Sequence, residues 1–536
     1  MPTFKLNGQD LEYQPGDTII RAAWRAGIEI PHYCWHPGLS IAANCRMCLV
    51  EVKSGRPMML PILQWDASKN EYVEATKPKL VPACQQAISD GLEVSSQSDQ
   101  VKTAQASVQE FLLLNHPVDC PICDQAGECK LQDYWLAHQS KLKRKQTEPV
   151  HKSKGVSFGP TIVYDGERCV MCTRCVRFNE EVVKDPVLDM RERGNVNEII
   201  LAPGRLLDHK YSLMNEHVCP VGALTSRDFR FKARVWFLKA ARSVCSGCAT
   251  GCNMFVDFDP RNQEVQRLRP RDNEAVNQYW MCDDGMMSYR RYHEDRVRLG
   301  RVRADAGLQD VAPLTAVKEA AALLTAVKKD GKNVAVVFSA QHSSEDNYVL
   351  AKLARDVLGA SGAYLAALGG WDGDDILRDA DNNPNRAGAT AVAAQHGFAT
   401  LGTTAKLLED VAAGSVHVVL ALGWASKESA AELAALSRTP VISFTSNEGA
   451  LPSVAQIVVP VAVHAETNGT FVNRKGIAQQ FKRAIHAPPG IKPAWEALLD
   501  LGRALGATLD VAKLEDVRRA LPAAPTPAQA AAAPAA

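Results

Sequence analysis

The chain has 536 residues, 46% hydrophobic and 23% charged, the composition of a soluble globular protein with room for several domains. Its 61 Lys and Arg are balanced by 60 Asp and Glu, which leaves no broad basic field to draw nucleic acid or anionic lipid. No apolar run is long enough to span a bilayer, and MPTFKLNGQD lacks the basic start and apolar core of a secretory signal, so a cytoplasmic location is expected, with membrane attachment only through partners.

The opening reads as strand, turn, strand, helix: FKL, then Asn7-Gly8 as a hairpin signal, LEYQ, and a helix begun near Asp17. Ile20, Ala23 and Trp24 share one face of that helix, and Gly27 suits its C-terminal cap. This order resembles the β-grasp fold of plant-type ferredoxins. A second helix is expected over Gln100–Leu114, with Val101, Ala104, Val108, Phe111 and Leu112 at helical spacing before Pro117. Residues 160–235 read as a short α+β ferredoxin-like unit, and 240–295 as another small cysteine-organised unit. From about 310 helix and strand alternate: helix Thr315–Lys329, strand Val334–Phe338, helix Ser344–Leu358, then strands Val418–Leu422, Val441–Phe444 and Ile457–Val463. That alternation argues for a parallel sheet with helices on both faces. The tail LPAAPTPAQAAAAPAA is low-complexity and expected to be disordered.

Fifteen cysteines, all between Cys34 and Cys282, carry the chemical signal. In a reducing cytosol they are better read as metal ligands than as a disulfide framework. The first set is Cys34-x10-Cys45-x2-Cys48-x35-Cys84, three thiolates from one loop and one distant return. The second, His116-x3-Cys120-x2-Cys123-x5-Cys129, leaves one corner of a 4Fe-4S cube for His116, whose neutral ring would raise the cluster's potential. The third is Cys169-x2-Cys172-x2-Cys175 with Cys219-Pro220 as its closing ligand. Beside it stand Arg168, Arg174 and Arg177, either counter-charges to a cluster or an ordinary solvated basic face. The fourth is Cys245-x2-Cys248-x3-Cys252-x29-Cys282. Four clusters need sixteen ligands, and fifteen cysteines plus His116 supply them with none left over. Zinc in four-cysteine sites is the competing reading, which makes the chain a zinc-stapled scaffold.

In order and spacing these motifs resemble the large iron–sulfur subunit of respiratory NADH–quinone oxidoreductase, a likeness strengthened by CPVGALTSRDFRFKARVW from Cys219 to Trp236. The fourth set resembles the 4Fe-4S site that opens molybdopterin oxidoreductases, as does HAETNGTFVNRKGIAQQ from His464 to Gln480, although Gly476-Ile477-Ala478 departs from the family's usual G-R. The resemblance implies a multidomain α+β then α/β chain: a 2Fe-2S β-grasp domain at 1–95, a 4Fe-4S domain at 96–150, a ferredoxin-like 4Fe-4S domain at 151–238 and a molybdopterin-oxidoreductase-type 4Fe-4S domain at 239–300. A trimmed molybdopterin-oxidoreductase-like α/β domain at 301–515 and a disordered tail at 516–536 would follow. It further implies one 2Fe-2S and three 4Fe-4S clusters, no molybdopterin, and no catalytic residue on this chain. Expected partners are the flavoprotein NADH-oxidising subunits and the quinone-module iron–sulfur subunits of complex I, at the cytoplasmic side of the inner membrane, and no nucleic acid. Glu466 and Asn473 read as turn residues that hold the fold. No G-x-G-x-x-G or P-loop stands in its expected context. Hosts with the same first motifs are NAD-linked hydrogenases and formate dehydrogenases.

Overall fold

The computed structural model describes residues 2–54, 59–139, 144, 148–305, 307–423, 433, 436 and 439–526. The chain divides into two compact units, Met1–Trp236 and Phe237–Ala536.

In the first unit β1 (Thr3–Leu6) and β2 (Gln9–Glu12) form the expected hairpin, with Asn7 at φ 55 and Gly8 at φ 84, the two positive values that a tight two-residue turn demands. Helix α1 (Ile19–Arg25) follows, and Gly27 at φ 73 ends it in the left-handed conformation. β3 (Leu49–Val52) is separated from β6 (Val81–Pro82) by a hairpin of its own, β4 (Met59–Asp66) with β5 (Glu71–Pro78). With β7 (Glu93–Ser95) the sheet runs β2-β1-β7-β3-β6, and β1 and β7 are parallel. Phe4, Leu6, Ile19, Ile20, Ala23, Val50 and Val94 form its core against α1.

Helix α2 (Asp99–Leu113) lies where the spacing put it, capped by Ser98, but it presents a different face. It buries Val101, Gln105 and Gln109, and Phe111 is 71% exposed. The apolar stripe loses to a polar contact: Gln109 donates to the Tyr33 hydroxyl at 2.6 Å inside the protein. Beyond it come α3 (Lys130–Tyr134), β8 (Val156–Ser157), β9 (Ile162–Tyr164), α4 (Arg174–Arg177), the hairpin β10 (Leu188–Arg191) with β11 (Glu198–Leu201), α5 (Met214–Val218) and β12 (Leu224–Ser226). These pieces are short, and β12-β9-β8 is a sheet of three small strands.

The second unit opens with an antiparallel sheet, β13 (Lys239–Val244), β14 (Asn253–Asp259) and β15 (Glu264–Pro270), then α6 (Asp283–Met287). The hairpin β16 (Gly300–Ala304) with β17 (Gly307–Val311) leads through α7 (Pro313–Lys329) into β18 (Val334–Ser339), α8 (Ser344–Lys352), β19 (Gly362–Ala366), α9 (Arg386–Gln395), α10 (Thr404–Ala412), β20 (Val418–Leu422), β21 (Val441–Thr445) and β22 (Ile457–Pro460). The seven-stranded sheet has the order β17-β16-β22-β21-β20-β18-β19; β22 through β19 are parallel, and β16 pairs antiparallel with both β22 and β17. Both faces are covered, which is why β18, β20 and β21 are buried along their whole length. One face packs on α7, α8, α9 and the helix Ala494–Ala504, the other on α10 and the helix Ala450–Val454. β22 stops at Pro460, short of the expected Val463. The expected tail from residue 516 begins inside an ordered helix, Leu514–Ala520, whose Val517 is fully buried; residues 527–536 of that tail lie outside the described residues.

Candidate metal centres

The loop between α1 and β3 carries Cys34, Cys45 and Cys48, and Cys84 follows β6. Ala43 and Arg46, at φ 51 and φ 57, curl this loop so that backbone N–H groups of Asn44 and Cys45 point at the Cys34 sulfur. The four sulfurs share hydrogen bonds: Cys45 and Cys84 donate to Cys34, which drops to about 2, and Cys84 also meets Cys48. Cys45 and Cys84 are pushed up as a result. The long gap between Cys48 and Cys84 is occupied by the β4–β5 hairpin, and direct β3–β6 pairing brings the two ligands back together.

Cys120 opens a single 3-10 turn, Cys123 ends it, and Cys129 caps α3. Burial raises Cys123 and pushes Cys129 to about 11, with the neighbouring thiolates adding to both. His116 is partly buried on the segment between α2 and Cys120.

Cys169, Cys172 and Cys175 occupy the entry to α4, where Met171 and Thr173 take φ 51 and φ 60, and Cys219 caps the end of α5. Together with Tyr164, Ile199, Val221 and Leu224 these four cysteines line one small pocket. Burial drives Cys169 and Cys219 to about 12 and raises Cys172 and Cys175. In the second unit Cys245, Cys248 and Cys252 lie between β13 and β14, and Cys282 caps α6. A Cβ on Gly285 would sit 3.2 Å from the Cys245 sulfur and 3.5 Å from that of Cys282, so glycine lets the backbone close over the set. Burial pushes Cys245 to about 12 and Cys252 and Cys282 well up.

All fifteen cysteines are free thiols, although the groups are close enough for sulfur to act on sulfur. Apart from Cys34 and Cys48, which hydrogen bonds already favour as thiolates, the raised thiols are held protonated unless cationic metal compensates them, and a soft sulfur donor set fits iron–sulfur clusters. The basic residues are not a solvated face: Arg168 is 3% exposed, and Arg174 and Arg177 are 8% exposed. Arg168 is neutralised by Asp119 at 2.6 Å and Asp165 at 3.4 Å.

The three sets of the first unit are contiguous. The thiolates of Cys34 and Cys172 act on each other, and the amide of Lys130, next to Cys129, donates to the carbonyl of Pro220, next to Cys219, at 3.0 Å. A Cβ on Gly222 would come within 2.4 Å of the Cys123 sulfur. The segments that carry the third set therefore lie against those of both others. Glu29, which accepts from Lys130 Nζ at 2.9 Å and Tyr134 Oη at 2.7 Å, ties the first ligand loop to α3; no sequence spacing marks it.

Glu466 and Asn473 serve the fold. Glu466 forms a two-pronged ion pair with Arg296 at 3.0 and 2.8 Å and accepts from the Val463 amide. Asn473 Oδ1 accepts from the amides of Lys475 and Ile477.

Residues 1–99 match the family described as a 2Fe-2S iron-sulfur cluster binding domain, and 105–143 match the NADH-ubiquinone oxidoreductase-G iron-sulfur binding region. Residues 159–225 match the ferredoxin-like domain of NADH-quinone oxidoreductase subunit 3, and 238–294 the molybdopterin oxidoreductase Fe4S4 domain. The G subunit of Rickettsia felis NADH-quinone oxidoreductase is 34% identical over 66% of this chain and 49% of its own length. Subunit 3 of the Thermus thermophilus enzyme is 35% identical over 58% of the chain and 40% of its own length. Over its cysteine-bearing part the chain is similar to the G subunits of NADH-quinone oxidoreductase. The mitochondrial iron-sulfur protein 1 of Solanum tuberosum NADH dehydrogenase is 36% identical over 61% of the chain and 41% of its own length, so the chain spans about half the length, or less, of these relatives. A chain of a solved NAD+-reducing [NiFe]-hydrogenase overlaps 44% of this one at 26% identity with a TM-score of 0.35, too loose a likeness to speak to fold or host.

Proposed function

We propose that this chain relays electrons in an NADH–quinone oxidoreductase, from a flavoprotein partner that oxidises NADH toward iron–sulfur partners that reduce quinone. The observation that carries this reading is the contiguity of three thiol sets in one unit, the segments of the third lying against those of the other two. Cys34, Cys45, Cys48 and Cys84 would hold a 2Fe-2S cluster in a β-grasp domain; His116, Cys120, Cys123 and Cys129 would hold a 4Fe-4S cluster. Cys169, Cys172, Cys175 and Cys219 would hold another, and Cys245, Cys248, Cys252 and Cys282 the last. Such clusters, when bound, supply one-electron chemistry; the protein's own work is to exclude water, hold thiolates and tune their charge. The α/β region acts as a trimmed scaffold without molybdopterin, and attachment to the membrane runs through partners on its cytoplasmic side. Among the described residues no helix is long and apolar enough to cross a membrane.

The test is to solubilise membranes of the source organism, separate complexes by size and follow the chain by mass spectrometry alongside inhibitor-sensitive NADH–quinone activity. Co-migration with a large complex containing a flavoprotein is expected. Recovery in a soluble hydrogenase or formate dehydrogenase overturns the host. The purified chain should contain roughly 14 iron and 14 labile sulfide; stoichiometric zinc with no iron overturns the relay itself.

A further inference from the structure

Two buried arginines join the first and third thiol sets. Arg174 donates from Nη2 to the carbonyl of Trp35, beside Cys34, at 2.5 Å, and from Nη1 to the carbonyl of Val218, beside Cys219, at 3.3 Å. Arg177 donates from Nη2 to the carbonyl of Cys34 at 2.5 Å and to that of Cys172 at 3.3 Å, and from Nη1 to the carbonyl of Ser40. Each guanidinium thus grips one backbone carbonyl at a ligand of each set. Neither has a carboxylate within ion-pair distance among the described residues, in contrast to Arg168 with its two aspartates. Arg174 Nε is buried without a hydrogen-bond partner. An uncompensated buried charge is costly, and carbonyl dipoles alone answer it only in part. Cys172, Tyr134, Cys219 and Cys34 all act electrostatically on Arg174, so its charge is felt at ligands of both sets.

We propose that Arg174 and Arg177 are positioning residues that fix the first and third cluster sites to each other and, by their shared positive charge, raise the reduction potentials of both. Reduction adds negative charge to a cluster, so a fixed cation between two clusters favours the reduced form of each. The forked hydrogen bonds hold the two ligand loops in one geometry, which keeps the electron-transfer distance constant. The inference rests on the cluster assignment above, and iron content and paramagnetic signals report on that assignment separately from the potentials.

The experiment is a redox titration of the full, anaerobically purified chain, followed by low-temperature EPR, for Arg174→Gln and Arg177→Gln and for the charge-keeping Arg174→Lys and Arg177→Lys. With iron and both signals retained, each Gln variant is expected to shift both centres to lower potential. The shift should be at least a tenfold change in the oxidised-to-reduced ratio at fixed potential, about 59 mV for a one-electron couple. The Lys variants should remain within a few-fold of the native ratio. Unmoved potentials in the Gln variants, movement of only one centre, or equal shifts in the Gln and Lys variants overturn the proposal. If the Gln variants lose iron, the Lys variants decide it: near-native potentials support the charge, and loss of iron there too reduces both arginines to a scaffold role and overturns it.

Discussion

At the scale of single residues, the buried Arg296–Glu466 pair shows how a side chain in a suggestive motif can be fully engaged by the fold. Both side chains are almost completely buried, and the carboxylate also caps the turn at Val463. Removing one partner leaves the other charged and dry, which typically costs about 3–5 kcal/mol, so Glu466→Ala should lower the unfolding free energy by that amount. Chemical denaturation of the variant checks this, and a loss under about 1 kcal/mol would show that the pair relaxes into solvent. His116 belongs at the same scale. As a neutral ligand it leaves its cluster one charge less negative than four thiolates would, so His116→Cys should retain iron and lower the potential of one centre. Unchanged potential and iron together would remove His116 from the ligand set.

At the scale of elements, β18, β20, β21 and β22 end around a crevice that His342 and His464 line. His342 packs against Gly423, where a Cβ would meet its ring at 1.9 Å, and His464 packs on the Phe471–Phe481 pair. Burial lowers both histidines to about 4. Their folded pKa lies below the unfolded value, so the unfolded chain binds more protons between about pH 6.5 and 4. Stability is full above about 6.5 and falls as pH drops through that window, by up to about 1.4 kcal/mol per pH unit for each group. Denaturation midpoints from neutral pH down to about 4 should show this slope, and a His342→Gln/His464→Gln variant should flatten it. The β4–β5 hairpin gives a second case. It leaves Leu63, Trp65 and Tyr72 exposed, while β3 and β6 pair without it. Replacing residues 55–78 with a short turn should therefore leave the first set's iron and EPR signal intact; their loss would mean that the hairpin holds the ligand loop.

These elements also show what the sequence made legible. Cysteine spacing made three members of each thiol set legible because they share one short loop, whereas Cys84, Cys219 and Cys282 return from 30 to 44 residues away and only the count of cysteines assigned them; the strands from Val334 onward announced themselves because a doubly covered sheet needs continuous apolar runs. The exposed Phe111, the Gln109–Tyr33 contact and the carbonyls gripped by Arg174 and Arg177 were hidden, because each depends on a partner tens of residues away. The arginines themselves were visible beside their cysteines; their burial was not.

At the scale of the whole molecule, the two units should depend on metal to different degrees. Of the fifteen cysteines eleven lie in Met1–Trp236, where residues 115–236 are organised by helices and strands of two to six residues. Elements that short are not stable alone, so the buried thiol sets should act there as the staple that a larger apolar core provides elsewhere. Phe237–Ala536 contains four cysteines at its start and then a seven-stranded sheet packed on both faces with no cysteine in it. Calorimetry of the holo chain should therefore lose one transition on anaerobic iron chelation and keep another. Limited proteolysis of the chelated protein should degrade residues 96–236 first and leave a resistant fragment that begins near residue 300. A single transition abolished as a whole by chelation would mean that the α/β sheet cannot stand without the clusters, despite carrying its own apolar core.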